Sequence, residues 1–266
     1  VIASACAEVG VRVSCAYGVT DRHPEGHDLR AGMTEGARRG LAENDRYLRG
    51  GGRGMVGLHA AFTCSDETIA AAAELARDHG VGVNVHVAEG PEDRGAAARL
   101  RAHTDDRWLL VHGVHLPDDH GLAGTIVHNP RSNMNNAVGY ADPRRFANPV
   151  ALGTDGIGAD MLDEFRLAYV RLREAEVTET PDRAWSWLAT GWDLFPEAKT
   201  DRVTWGYEPM DPWRLAFSPG VSPIDVQVDG VLVLEDGRPK RVDAVEVRAK
   251  AAEHALRLFR RLEDLP

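Results

Sequence analysis

GVNVHVAEG, residues 82–90, is an apolar stretch that carries a histidine and a glutamate and ends in a glycine. A short apolar run bounded by turn residues is typical of a strand that is buried on both faces, as in parallel sheets. His86 would then stand near the carboxyl end of a strand, with Glu89 three residues further on. A single histidine at such a place is more often a core residue than a metal ligand, so the other strands decide its interpretation.

The stretch is one of six strand-like runs that alternate with helical patterns. The runs cover residues 11–19, 55–62, 81–89, 108–116, 124–130 and 148–156, and the helical patterns cover 1–9, 31–49, 65–80, 91–106, 159–176 and 181–194. This alternation predicts an α/β fold with a parallel sheet. It fits a (β/α)8 TIM-type barrel without two of its units, or a smaller doubly wound sheet.

Two segments depart from the alternation. Residues 117–123 are too few for a helical crossover, so either a helix is lost there or part of the chain is missing. Residues 224–242 predict a β-hairpin with two Asp-Gly turns, and a helix follows over 243–262. We therefore expect a partial (β/α) barrel over residues 1–200 and a small C-terminal β-module over residues 201–266.

Composition narrows the classes of partner. The chain has 266 residues and a net charge of −10, which argues against nucleic acid or an anionic membrane as its partner. Its apolar runs are too short to span a bilayer, and its three cysteines stand singly, so we expect a cytoplasmic protein. The opening residues, VIASACAEVG, lack both an initiator methionine and the basic start of a signal peptide, so we expect a piece of a longer chain.

Polar residues end five consecutive strand-like runs. They are His59, His86, His112, His128 and Asp155. Because the carboxyl ends of parallel strands meet at one edge, five such residues in register make the core interpretation hard to sustain. Imidazoles and a carboxylate together suit a divalent metal of the zinc or iron type. Glu89 and Asp155 are then the candidates for moving protons to and from water and a leaving group.

Several motifs in this set resemble the amidohydrolase superfamily. They are HVAE (86–89), VHGVHL (111–116), VHNPRSNMN (127–135) and LGTDG (152–156). The chain is most similar to the aminohydrolase and chlorohydrolase branch, which contains deaminases, and within it to SsnA-type aminohydrolases, through DRHPEG, HAAFTCSDET, HNPRSNMNNAVG and GTDGIGADML. The resemblance covers nearly the whole chain and implies a metal-dependent hydrolase barrel that is incomplete at its N-terminus.

The resemblance also implies roles for individual residues. His86, His112 and Asp155 would bind one divalent metal, zinc in the first place and iron or manganese as alternatives. Asp155 would act as general base, and Glu89 would carry a proton to the departing nitrogen. The residues implied to lie near the substrate are His59, His128, Arg131 and Asn133, together with Asn129 and Ser132 of the same loop. His115 fits a substrate contact and a plain strand-end histidine about equally well.

One departure from the family concerns the metal. The family's first strand carries an H-x-H pair that supplies two ligands, and no H-x-H occurs in these 266 residues. On the family's strand order the chain begins at the helix before strand three. We therefore expect an open or empty site in this chain alone.

The leading hypothesis is deamination of a small cyclic compound, such as a purine, pterin or triazine, by a metal-activated water. One alternative is dechlorination or cyclic amide hydrolysis at the same site. Another is a catalytically incomplete protein that depends on a partner. By resemblance, a homodimer is also expected.

Overall fold

The computed structural model describes residues 1–22, 28–207 and 211–265. The DRHPEG motif therefore lies partly outside the described residues, as do His23 and His27. The chain forms two compact units. One comprises Ser14–Phe195 and Asp211–Ser218, and the other comprises Val1–Val13, Pro196–Met210 and Pro219–Pro266. The domain limits expected from the sequence, 1–200 and 201–266, stay a prediction.

The larger unit is built on a parallel sheet of six strands. They are β1 (Gly18–Val19), β2 (Val56–Ala60), β3 (Val83–Val87), β4 (Leu109–His112), β5 (Thr125–His128) and β6 (Val150–Leu152), and they lie in the sheet in this order. Every neighbouring pair is parallel. The six parallel strands predicted from the sequence are thus confirmed, and their carboxyl ends share one edge.

The first strand is much shorter than the predicted run 11–19. Only a single bridge, from Cys15 to Gly54, precedes the pairing of Gly18 and Val19 with β2. The side chain of Asn44 instead holds the backbone of Tyr17, since Oδ1 accepts from its N–H at 3.1 Å and Nδ2 donates to its carbonyl at 3.0 Å. At Tyr17 the side-chain amide of Asn44 thus makes the hydrogen bonds that a neighbouring strand would otherwise make.

Helices connect most of the strands. In the larger unit they are α2 (Glu35–Arg49), α3 (Asp66–Asp78), α4 (Ala96–Leu100), α5 (Pro130–Asn135), α6 (Met161–Ala175), α7 (Pro181–Ala189), α8 (Gly191–Leu194) and α9 (Pro212–Phe217). Thr34 and Ser65 cap the N-termini of α2 and α3 by accepting a backbone N–H. No helix lies between β4 and β5 in the described residues, and both explanations of that short connection stay predictions.

The predicted helix over 91–106 is wrong in its length. The segment forms a short 3-10 turn at Pro91–Asp93 and then α4, which has only five residues. Gly90 and Gly95 flank that turn, and a continuous helix disfavours both glycine and an internal proline.

The core of the larger unit lies between the sheet and its helices. The strands contribute Val56, Leu58, Val83, Val85, Leu110 and Ile126, and α3 and α6 contribute Ile69, Ala73, Phe165 and Leu172, all buried. Burying each large apolar side chain contributes roughly 1.5–3 kcal/mol. This core fixes the strands and therefore the place of the residues at their ends.

The smaller unit contains an antiparallel sheet of four strands. It is formed by β7 (Arg202–Trp205), β8 (Pro223–Val228), β9 (Val231–Glu235) and β10 (Arg238–Pro239), flanked in sequence by α1 (Ile2–Val9) and α10 (Ala244–Glu263). The predicted hairpin is confirmed in β8 and β9, whose turn residues Asp229 and Gly230 both have positive φ. No helix within the described ranges is long and apolar enough to cross a membrane.

Candidate active site

Four of the predicted site residues come together at the carboxyl edge of the parallel sheet. The ring of His86 stacks on that of His112 with 5.4 Å between centroids. Nε2 of His112 lies 3.6 Å from a carboxylate oxygen of Glu89 and 3.7 Å from one of Asp155. His59 joins the group from β2, since its ring lies 5.7 Å from that of His86.

His112 is buried and has a fixed orientation. Its Nδ1 lies 2.8 Å from Oδ1 of Asn133, an oxygen that can only accept, so Nδ1 carries the proton. Burial lowers the pKa of His112 below its ordinary value, although Asn133 and Glu89 act in the opposite direction. The ring is therefore neutral at pH 7, and its Nε2 lone pair faces the two carboxylates.

His86 follows the same pattern. Its Nδ1 is hydrogen-bonded to the backbone carbonyl of His59, which also can only accept. Nδ1 therefore again carries a proton, and Nε2 takes no part in this hydrogen bond. In metal sites a ligating histidine characteristically donates its other N–H to a carbonyl or carboxylate in this way.

Asp155 is held as a carboxylate. Burial alone would raise its pKa, but hydrogen bonds from the Ser132 hydroxyl and the Gly156 N–H, both at 2.6 Å, outweigh burial and keep the pKa below its ordinary value. Its backbone is in the left-handed region, with φ of 53°. Asp155 is thus ionised and fixed in direction, as a ligand or a general base requires.

Glu89 lies between the histidines and a cavity. One of its oxygens accepts from Asn136 Nδ2 at 3.2 Å while the other faces His112. The cavity has a volume of about 500 Å³, and its lining includes Glu89, Glu92, Arg94, His115, Asn136 and Val138. A small heterocycle could therefore approach Glu89 from this side.

His59 and His115 differ in their surroundings. Burial lowers the pKa of His59, and its Nδ1 lies 2.9 Å from the Thr63 hydroxyl. Nε2 of His115 is buried and has no hydrogen-bond partner among the described residues, although the residue lines the cavity. Both positions suit a contact with substrate.

His128 lies in an aromatic layer. Its ring is fully buried, with its centroid 5.9 Å from that of Tyr140 and 6.1 Å from that of Trp187. Neither ring nitrogen has a hydrogen-bond partner among the described residues. The substrate contact implied by resemblance stays a prediction for this residue.

The burial of His128 predicts acid sensitivity. Burial lowers its pKa to about 3, from an ordinary 6.5, so below pH 6.5 the unfolded chain takes up a proton that the folded chain does not. The buried imidazole therefore leaves the free energy of unfolding unchanged above pH 6.5 and lowers it as the pH decreases from 6.5 towards 3. Between pH 6.5 and 4.5 we expect wild type to lose about 2–3 kcal/mol more than His128→Leu does. Urea unfolding of both proteins across this range is the measurement, and parallel pH profiles would contradict it.

Arg131 is tied into an ion pair. Its Nε donates to the fully buried Glu164 at 2.7 Å, and Nη2 lies 3.4 Å from Asp163. Glu164 and Asp163 come from α6, so the pair joins α5 to α6. The implied substrate role of Arg131 stays a prediction, and the geometry favours a structural one.

Loss of Arg131 should therefore destabilise the fold. Arg131→Ala leaves a buried carboxylate without its cation, and since the Arg131 side chain is partly exposed we expect a loss of about 2 kcal/mol rather than the full value for a buried pair. Thermal unfolding measures the change. Arg38→Ala, which removes an exposed pair with Glu35, is the matched control and should leave the melting temperature unaltered. Equal melting temperatures for the two variants would contradict the structural role.

The sequence profile of the amidohydrolase family matches residues 1–188. The chain belongs to the amidohydrolase family. It is 28% identical to a 5'-deoxyadenosine deaminase of Methanopyrus kandleri, over 97% of this chain and 69% of that protein. Among eight curated relatives that it matches, the share of the relative's length that it spans ranges from 32% to 69%.

Solved structures show the same fold. A zinc-bound adenosine deaminase from Xanthomonas campestris superposes with a TM-score of 0.78 at 19% identity, over 97% of this chain and 68% of that one. An atrazine chlorohydrolase from Arthrobacter aurescens TC1, complexed with zinc, superposes with a TM-score of 0.72 at 18% identity, over 94% and 67%. The deaminase and the chlorohydrolase thus share their fold with this amidohydrolase.

The donors of this amidohydrolase suit a divalent metal in kind. Two imidazoles whose Nδ1 atoms are each hydrogen-bonded to an oxygen, together with an ionised carboxylate, are the ligand types of zinc sites. In their arrangement they fall short, because no three histidine, cysteine, aspartate or glutamate side chains of the described residues converge closely enough to hold an ion.

Sequence reasoning did not predict which residues orient the site residues of this amidohydrolase. Asn133 was implied as a substrate contact, yet it holds His112. Ser132 of α5 binds Asp155, and Asn136, the C-cap residue of α5 four positions further on, binds Glu89. That spacing places them on one face of the helix, and it is the signal in NPRSNMNN that could have indicated their role.

Proposed function

We propose that this amidohydrolase deaminates a small nitrogen heterocycle, with an aminopurine derivative as the first candidate. The observation that carries the proposal is the approach of two carboxylates, Glu89 and Asp155, to the free Nε2 of His112. Two carboxylates in different surroundings are what a reaction needs when it removes one proton and delivers another. The deaminase relatives support this choice among the reactions of the family.

We further propose that His86, His112 and Asp155 contribute ligands to one divalent metal, with zinc as the first candidate. Such a metal, when bound, lowers the pKa of water and so supplies a nucleophile at neutral pH. The hydrogen bonds of both histidines support the assignment, because each engages Nδ1 with an oxygen acceptor and leaves Nε2 for a metal.

The chain's own residues then have distinct tasks. Asp155, already ionised, takes a proton from the attacking water as its oxygen bonds to the ring carbon. The proton that Asp155 has accepted passes to Glu89, which delivers it to the exocyclic nitrogen as the C–N bond breaks and ammonia leaves. His59 and His115 contact the heterocycle, and the cavity beside Glu89 accommodates its substituent. Water and the aminated ring are thus converted to ammonia and the oxygenated ring.

The experiment is a substrate panel with full-length, zinc-loaded protein. The panel contains 5'-deoxyadenosine, adenosine, guanine, a pterin, a chlorotriazine and a cyclic amide. Release of ammonia, release of chloride and ring opening are measured for each compound. We expect ammonia from at least one aminopurine, lost after chelation and restored by zinc. Chloride release alone would favour the chlorohydrolase alternative, and no product from any compound would contradict the proposal. The homodimer and cytoplasmic location stay predictions.

A further inference from the structure

The turn that carries Glu89 has an unfavourable backbone conformation. Ala88, directly before Glu89, is fully buried and has φ of 49°. A residue with a side chain adopts this left-handed region at a cost, so surrounding contacts must hold it there. The direction in which Glu89 leaves β3 depends on those contacts.

Three hydrogen bonds hold the turn. The Gly113 N–H donates to the carbonyl of Val87 at 2.9 Å, and the His115 N–H donates to the carbonyl of Ala88 at 2.8 Å. The third bond runs from the Ala88 N–H to a carboxylate oxygen of Asp93 at 2.7 Å. The loop after β4 therefore holds the carbonyl side of the turn, and among the described residues Asp93 alone holds its N–H side.

Asp93 also reaches a second loop. It is almost fully buried, and the Phe62 N–H, in the turn that follows β2, donates to it as well. Burial raises the pKa of Asp93 to about 6, against the effect of the two N–H groups and of Arg99, while Glu92 adds to the rise. Its carboxylate thus joins the segments that follow His59 and His86.

We propose that Asp93 is a positioning residue for Glu89. By accepting the Ala88 N–H it fixes the left-handed turn, and the turn directs the Glu89 carboxylate to within 3.6 Å of His112 Nε2. The catalytic consequence rests on the proposed function, whereas the positional effect does not. An asparagine cannot replace Asp93, because its amide NH2 would oppose one of the two N–H donors.

The kinetic test uses full-length, zinc-loaded protein and the substrate identified by the panel. A carboxylate misplaced by about 1 Å loses on the order of 10²-fold in rate, so we expect Asp93→Asn to lower kcat by that factor, with KM and zinc content near wild type. Asp21→Asn is the matched control, since Asp21 is equally buried and accepts backbone N–H groups of Thr34 and Ser65, both at 2.7 Å. We expect it to lower the melting temperature and leave kcat unchanged.

A structural readout decides the matter independently of turnover. In crystals of Asp93→Asn we expect Ala88 to lose its positive φ and Glu89 to move away from His112, and in solution we expect faster hydrogen exchange at the Ala88 amide. Asp93→Glu, which keeps the charge but displaces it, serves if the asparagine variant does not fold. An unmoved Glu89, or a wild-type kcat in Asp93→Asn, would overturn the inference. If wild type were inactive on every substrate while Glu89 was still displaced in Asp93→Asn, only the proposed function would be overturned.

Discussion

Glu89→Gln is expected to lower turnover by roughly 10²–10⁴-fold, the range for loss of a general acid–base residue. Glutamine keeps the size of the side chain and can still accept from Asn136, which holds Glu89 in wild type at 3.2 Å. It cannot carry a proton to the departing nitrogen. Since His86, His112 and Asp155 are untouched, zinc content should stay near wild type, and steady-state kinetics with metal analysis would measure both quantities.

Glu92→Gln is the matched control for this variant. Glu92 lines the same cavity but is not among the groups that face His112. The substitution removes the same charge three residues further along, so a rate loss that came only from the cavity's charge would appear in both variants. We expect it in Glu89→Gln alone. Normal turnover by Glu89→Gln would refute the proton-transfer role.

His86→Ala is expected to act on the metal rather than on proton transfer. The substitution removes Nε2 of His86, a proposed metal ligand. The ring that carries it is held by the hydrogen bond between Nδ1 and the carbonyl of His59. Loss of a neighbour that merely orients a ligand costs roughly 10–100-fold in metal affinity, so loss of the ligand itself should exceed that range. Isothermal titration calorimetry of the metal-free protein with zinc measures the zinc affinity.

His254→Ala is the control for His86→Ala. His254 lies on an exposed face of α10, where it contacts Arg257. The His254→Ala substitution removes one imidazole from the protein without altering the proposed site, so we expect the zinc affinity of wild type. Equal affinities for the two variants would remove His86 from the ligand set.

The parallel sheet and the meeting of four site residues could be predicted from the sequence. Each apolar run is long enough to identify a strand, and a polar residue at its carboxyl end must lie at the same edge as its neighbours'. His86, Glu89, His112 and Asp155 are therefore found together because strand order and strand ends alone determine where they lie.

The partners of the site residues could not be predicted in the same way. Arg131 binds Glu164, which is 33 residues away and on another helix, and nothing in the local sequence indicates this pairing. Asp93 looks like an ordinary turn residue, and only the fold brings its carboxylate to the Ala88 N–H. Local patterns indicate which element a residue belongs to, whereas side-chain direction depends on packing between distant segments.

Anomalous diffraction from crystals of full-length, zinc-loaded protein tests the proposed metal site directly. Data collected above and below the zinc edge would locate the ion without reference to activity. We predict one peak whose nearest protein atoms include Nε2 of His86, Nε2 of His112 and a carboxylate oxygen of Asp155. A fully occupied zinc bound elsewhere, or no zinc peak at this edge of the sheet, would contradict the proposed site.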